Sequence, residues 1–213
     1  MAEIIPAIIG DNFTEVVNRI RTLEGAANRV HLDIMDGTFT AGSSWRTPDD
    51  LIGLDGEIKI EAHLMIRAPE AVIRAWAEVL DRIIFHVETT RQLEEIMDFF
   101  TGSAVEPGLA LNLQTPISTV EQWLGRVKLV QLMAIAEIGE QGHPFDEHVF
   151  EKIDILRHGY PDVTIQVDGG VNFDNVEKLI AAGADNLIVG SAIWQNLDPL
   201  SALAEFQKLA TKS

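Results

Sequence analysis

VTIQVDGGVNFDNVEKLIAAGADNLIVG, residues 163–190, reads as a strand, a helix and a second strand. The run 163–168 closes on Asp168 and two glycines, AAGAD at 181–185 ends the following helix, and the run 185–190 closes on Gly190. Upstream, Gly159 and Pro161 in RHGYPD end the preceding helix in the same way. A strand–helix–strand unit of this length makes a right-handed crossover between parallel strands. The same rhythm extends to both ends of the chain. EIIPAII (3–9), RVHLDIM (29–35), EIKIEAHLM (57–65), RIIFHV (82–87), LALNL (109–113) and KLVQLMAI (128–135) complete a set of eight β-like runs. Most are separated by segments of helical period, such as PEAVIRAWAEVL (69–80), where Val72, Trp76, Val79 and Leu80 share a face and Pro69 suits a first turn. After HLDIMDG the stretch TFTAGSSWRTPDDLIGL reads instead as a long loop with a short helix. Eight units in about 200 residues predict a closed (β/α)8 TIM barrel forming a single domain over residues 1–213. A doubly wound open sheet is the alternative.

With 213 residues, 46% of them hydrophobic, the chain can bury one large core. It has no apolar run long enough to span a bilayer and no basic-then-apolar leader, so a soluble cytoplasmic protein is expected. Cysteine is absent, which excludes disulfides, thiolate metal sites and cysteine nucleophiles. A formal charge of −17 repels polyanions and argues against nucleic acid or an anionic membrane as partner. Nothing in the sequence fixes the oligomeric state, and a homo-oligomer is left open.

HLDIMDG (31–37) places a histidine and an aspartate two residues apart, hence on one face of a strand. An ionised carboxylate without a partner beside a core costs at least several kcal/mol, so this pair requires a cation or a hydrogen-bond network. His63 and Asp168 stand at the carboxyl ends of other strands, the face on which barrels of this kind build their sites. His31, Asp33, His63 and Asp168 together offer two nitrogens and two oxygens to one divalent metal ion, Zn²⁺, Fe²⁺ or Mn²⁺. The plainer reading of each is a satisfied polar residue in a strand-end network. Gly169–Gly170 and Gly190–Ser191 follow the seventh and eighth strands, where backbone N–H groups commonly hold a phosphate even on an acidic protein. Alternatively these glycines serve only tight turns.

HLDIMDG, EAHLM, IIFHVE, LALNLQTP, VDGGV and AGADNLIVGSAIW resemble, in order, the successive motifs of the ribulose-phosphate 3-epimerases, over about Ile4 to Trp194. The resemblance implies one divalent metal held by His31, Asp33, His63 and Asp168. It implies that Asp33 and Asp168 are the acid/base pair, that Met35, Met65 and Met133 line the reacting carbons, and that the partner is a small phosphorylated sugar. The implied reaction interconverts D-ribulose 5-phosphate and D-xylulose 5-phosphate. One carboxylate removes the proton beside a ketone, an enediolate forms, and a second group returns a proton to the other face. His86 and Glu88 match the family as supporting or structural residues, whereas His143, His148 and His158 fall in loop or helix segments and read as solvated.

The chain departs from the family in three places. Ala7 stands where a substrate-contacting serine is usual. TFTAG replaces the usual His-Phe-x-Pro-Asn, with differences at Thr38, Ala41 and Gly42. The loop after the sixth strand, usually Asn-Pro-Gly-Phe-Gly-Gly-Gln, reads AEIGEQGHPF from Ala136 to Phe145, so Glu137 and Glu140 are unexpected near a dianion. The departures leave room for a six-carbon ketose phosphate as substrate, or for a non-catalytic relative that binds a phosphorylated ligand. A decarboxylase or aldolase branch of phosphate-binding barrels is disfavoured, because Glu57, Lys59 and Glu61 lack the spacing of its third-strand Asp-x-Lys-x-x-Asp motif.

Overall fold

A computed structural model describes residues 2–139 and 142–212. The eight strands are β1 (Glu3–Ile8), β2 (Arg29–Met35), β3 (Lys59–Met65), β4 (Arg82–His86), β5 (Glu106–Leu111), β6 (Leu129–Met133), β7 (Thr164–Asp168) and β8 (Asn186–Val189). All neighbours pair in parallel and β8 returns to β1, so the sheet closes in sequence order. This is the expected (β/α)8 barrel, and the closure removes the open-sheet alternative. No helix among the described residues is long and apolar enough to cross a membrane.

The α-helices are α1 (Phe13–Leu23), α2 (Ile73–Ala77), α3 (Leu93–Phe100), α4 (Val149–Gly159), α5 (Val176–Ala182), α6 (Ser191–Trp194) and α7 (Pro199–Lys212). Helix α1 starts where Asn12 accepts the Glu15 N–H at 3.1 Å, and it packs Val16, Ile20 and Leu23 on the barrel. Each such side chain contributes about 1.5–3 kcal/mol by leaving water. Helix α5 ends at Gly183, whose φ of 109° is a conformation a Cβ would strain. Helix α4 ends differently from expectation: Gly159 is its last residue, without a positive φ, and the Tyr160 N–H closes on Leu156 O before Pro161.

Two crossovers are thinner than the sequence period suggests. The segment 69–80 begins with a 3-10 turn, Pro69–Ala71, and only Ile73–Ala77 is α-helical. Val72, at φ −120°, interrupts it, so Ile73 joins Trp76 and Leu80 in the core while Val72 is half-buried. After β5 the described crossover consists of two 3-10 turns, Ile117–Thr119 and Glu121–Trp123. The long segment after β2 contains one 3-10 turn, Pro48–Leu51, matching the reading of a loop with a short helix. Strand β5 starts three residues before the apolar run, because Pro107 and Gly108 are strand residues. A Cβ at Gly108 would stand 2.7 Å from Leu129 Cδ2 and 2.9 Å from Ile84 Cγ1, so glycine lets those two side chains meet inside the barrel.

Most of the apolar core lies between the strands and the helices, with Leu32, Ile34, Leu64, Leu132 and Val167 facing outward from the sheet. Inside the barrel, apolar residues form two small clusters, Ile5–Ala7–Ile188 and Ile84–Ala110–Leu129. Polar side chains occupy much of the space between, and strand register stacks them: Glu61 lies beside His31, Asp33 beside His63, Gln131 beside Gln166, and Gln166 beside Asn186.

Candidate active site

His31 and Asp33 project inward from β2, His63 from the end of β3 and Asp168 from the end of β7. One ligating atom from each of the four lies within 4.8 Å of the others, and all four residues are buried. His31 Nε2 is 3.4 Å from Asp33 Oδ1 and 3.8 Å from Asp168 Oδ2, while His63 Nδ1 is 3.2 and 3.3 Å from the same two oxygens. Ligand atoms around a tetrahedral Zn²⁺ with bonds of about 2.0–2.1 Å sit roughly 3.3 Å apart, so the spacing suits a divalent ion. His31 Nε2 is fully buried without a hydrogen-bond partner, an orphan that a metal would satisfy. The donor set and this orphan fit the ion expected from the sequence.

Electrostatics describe a cluster that holds charge when metal-free. Burial opposes a proton on His31, yet Asp33 and Glu61 keep its pKa up at about 10. Burial likewise opposes ionisation of Asp33, yet His31 and His63 hold its carboxyl well below the usual range. His63 is raised against burial by Asp168 and Asp33.

A second ring of residues orients these four. His31 Nδ1 is 2.7 Å from Glu61 Oε1, and Glu61 is itself tied to Arg82 at 2.8 Å, so the His31 ring can present only Nε2 to the cluster. His63 Nε2 meets His86 Nε2 at 2.8 Å with the rings stacked. His86 Nδ1 lies 3.2 Å from Glu88 Oε2, and Glu88 Oε1 accepts from Thr115 Oγ1 and from the Asn112 N–H at 2.8 Å. Burial pushes the His86 pKa down to about 4, which makes it neutral near pH 7. Gln131 Nε2 donates to Asp168 Oδ2 at 2.9 Å.

A cavity opens over the cluster, lined by Asp33, Met65, Met133 and Asp168 and by Gly169, Gly170, Gly190 and Ser191. The two carboxylates and both glycine turns therefore share one space. Met35 is buried, with its sulfur 3.3 Å from where a Gly42 Cβ would stand, and is not among the residues lining the cavity. Ala7 does line it.

The divergent segments belong together. A Cβ on Gly139 would stand 2.6 Å from Thr40 Cβ, and one on Gly42 would stand 2.9 Å from Gly139 O, so the loop after β6 lies on TFTAG. Farther along, Phe145 lies against Gly170, whose Cβ would meet Phe145 Cα at 2.7 Å. His143, expected in solvent, is half-buried and lines the cavity, because this loop folds over the barrel mouth. Glu137 is exposed, and Glu140 lies outside the described residues. His148 and His158 are exposed beside Asp146 and Asp154.

Sequence reasoning gives Gln131, Gln166 and Asn186 no part in the site and weighs Glu61 only against an aldolase-type motif, although each pairs at i, i+2 with a cavity residue or sits in register with one that does. Alternation alone could have placed Glu61 with His63, Gln131 with Met133 and Gln166 with Asp168 on common faces.

The sequence profile described as the ribulose-phosphate 3 epimerase family matches residues 3–194. Ribulose-phosphate 3-epimerase of Bacillus subtilis (strain 168) is 30% identical over 222 residues, covering 97% of this chain and 99% of that one. The enzyme of that name from Methanocaldococcus jannaschii is 30% identical over 225 residues, covering 100% and 93%. Among solved structures, KGPDC from Streptococcus mutans superimposes with a TM-score of 0.74 at 14% identity, covering 100% of this chain and 98% of that one. Orotidine 5'-monophosphate decarboxylase from Sulfolobus solfataricus gives 0.66 at 15% identity, covering 100% and 99%. At such identities the structural likeness concerns the barrel alone. The match over most of the chain settles the relationship: this is a member of the ribulose-phosphate 3-epimerase family, and an epimerase-type isomerase.

Proposed function

We propose that the protein interconverts D-ribulose 5-phosphate and D-xylulose 5-phosphate by proton transfer at carbon 3, with Asp33 and Asp168 as the two acid/base groups. The observation that carries this reading is one cavity lined by both carboxylates and by both glycine turns. Strands β2 and β7 are three steps apart around the barrel, through β1 and β8, so the carboxylates approach from different flanks. That suits a planar enediolate deprotonated on one face and reprotonated on the other. A divalent ion held by His31, Asp33, His63 and Asp168 would supply Lewis-acid stabilisation of the developing negative charge. The protein's own part is to fix the ligand rings through Glu61 and His86, to hold the phosphate on the backbone of Gly169, Gly170, Gly190 and Ser191, and to exclude water with Gly139, Gly142 and His143 and the side chains of Met65 and Met133. The family's substrate supports a small phosphorylated sugar as partner. Cytoplasmic residence is part of the same proposal, and one relative, from Oryza sativa subsp. japonica, is named a cytoplasmic isoform.

A six-carbon ketose phosphate is the second reading, favoured by Ala7 and His143 on the cavity wall where the loop departs from the family. Metal-reconstituted protein assayed on both sugars decides: a higher kcat/KM on the pentulose phosphate supports the first reading, and a higher value on the six-carbon sugar supports the second.

A further inference from the structure

Asp33 and Asp168 are alike chemically but are not held alike. Among the described residues, the Asp33 carboxylate meets the two histidines, whereas the Asp168 carboxylate also receives a side-chain amide from Gln131. Gln131 sits on β6, wholly buried inside the barrel.

The direction of that amide is fixed from below. Gln166 Nε2 donates to Glu61 Oε1 and to Gln131 Oε1, each at 2.8 Å, and Gln166 Oε1 accepts from Asn186 Nδ2 at 3.0 Å. Glu61 accepts as a carboxylate, so the Gln166 nitrogen must face it, and the Gln131 oxygen must then face Gln166. Turning Gln131 over would set its oxygen against Asp168 and its nitrogen against the Gln166 nitrogen, losing two hydrogen bonds in a dry interior. Asn186, Gln166 and Gln131 therefore form a one-way amide ladder that ends on Asp168 Oδ2, with the same Gln131 nitrogen 3.1 Å from His63 Nδ1.

We propose that Gln131 is a positioning residue for Asp168: by tying Oδ2 to the ladder and the metal-ligand cluster, it leaves Oδ1 as the oxygen that exchanges a proton with substrate. The proposal rests on the epimerase reading for its chemistry and on the ladder for its geometry. Since Asp33 has no such amide, the effect belongs to one aspartate, and hence to proton abstraction from one epimer.

The test uses full-length Gln131→Met and Gln131→Leu, which keep bulk and remove the donor, beside wild type. A lost hydrogen bond to a charged group is expected to lower kcat about tenfold or more with KM little changed. With each epimer deuterated at carbon 3, the isotope effect on kcat should rise for one epimer and not for the other. The visible spectrum of the Co²⁺-loaded variants, read without substrate, should shift from that of wild type because Asp168 is held differently, while the melting temperature reports folding separately. If one variant fails to fold, the other carries the comparison. An isotope effect unchanged in both directions, or changed equally in both, overturns the proposal, and so does a Co²⁺ spectrum identical to wild type. Wild type without epimerase activity would sink the functional reading instead, and the Co²⁺ spectrum alone would then decide the role of Gln131.

Discussion

His63 Nε2 stands 2.8 Å from His86 Nε2, so His63 turns Nδ1 toward Asp33 and Asp168. Neutral His86 can accept the His63 Nε2–H and donate its own Nδ1–H to Glu88, giving a chain of aligned donors that ends on the Glu88 carboxylate, which Asn112 and Thr115 hold from the other side. Outer partners of this kind typically support metal affinity by about 10- to 100-fold. We expect His86→Ala and Glu88→Gln to weaken Zn²⁺ binding on about that scale in a chelator-competition titration. Wild-type affinity in both folded variants would contradict this role.

The metal-free protein should respond to alkaline pH in a defined direction. The His31 pKa, at about 10, lies above its ordinary 6.5. Its protonated form therefore contributes stability fully below pH 6.5, and that contribution fades as pH rises toward 10. Chelator-treated protein should melt at progressively lower temperature between about pH 7 and 10, and the metal-loaded form should lose much less. At pH 7 metal uptake must also displace the His31 proton, which calorimetry in buffers of different ionisation enthalpy detects as proton release. Uptake without proton release would rule out His31 as a ligand.

Replacing Asp33 or Asp168 by asparagine removes a group able to take or give a proton while keeping its shape. Turnover should fall at least about a hundredfold in each variant. His31→Ala and His63→Ala should instead lower bound metal below the roughly one ion per chain expected of wild type, measured by elemental analysis. Equal metal content in all three proteins would exclude the four-residue site.

How the chain declares this site is uneven. His31, Asp33, His63 and Asp168 are legible because histidine and aspartate are chemistry-bearing residues within strand-like runs, where alternation puts His31 and Asp33 on one face and strand direction puts His63 and Asp168 toward the carboxyl ends. The barrel is legible from eight runs and their turn residues. Gln131 and Gln166 are not, because a glutamine in KLVQLM or TIQVD announces no chemistry until parallel register sets the two side by side and Glu61 orients them. The start of β5 escapes for a similar reason: Pro107 and Gly108 look like loop, and only the closeness of Ile84 and Leu129 explains a glycine there. His143 escapes because loop polarity in sequence does not reveal which side of the barrel mouth a loop covers.

The loop after β6 should control binding more than proton transfer. Gly139 has φ 104° and no room for a Cβ beside Thr40, so Gly139→Ala should push the loop off the segment it rests on. We expect KM to rise severalfold or more with a smaller change in kcat, whereas the reverse split would assign the loop to the chemical step. Grafting the family's usual loop over residues 136–145 should improve turnover of a pentulose phosphate if the native loop has weakened or redirected activity on that substrate.

Asp33 and Asp168, facing one cavity, are together assigned the proton at carbon 3. Incubating metal-reconstituted wild type with D-ribulose 5-phosphate in D₂O and following carbon 3 by NMR puts that assignment to the test. The expected product is D-xylulose 5-phosphate carrying solvent deuterium at that carbon, with the incorporation strongly reduced in Asp33→Asn and Asp168→Asn. Epimerised product that keeps its original hydrogen, or undiminished incorporation in both variants, would contradict the assignment.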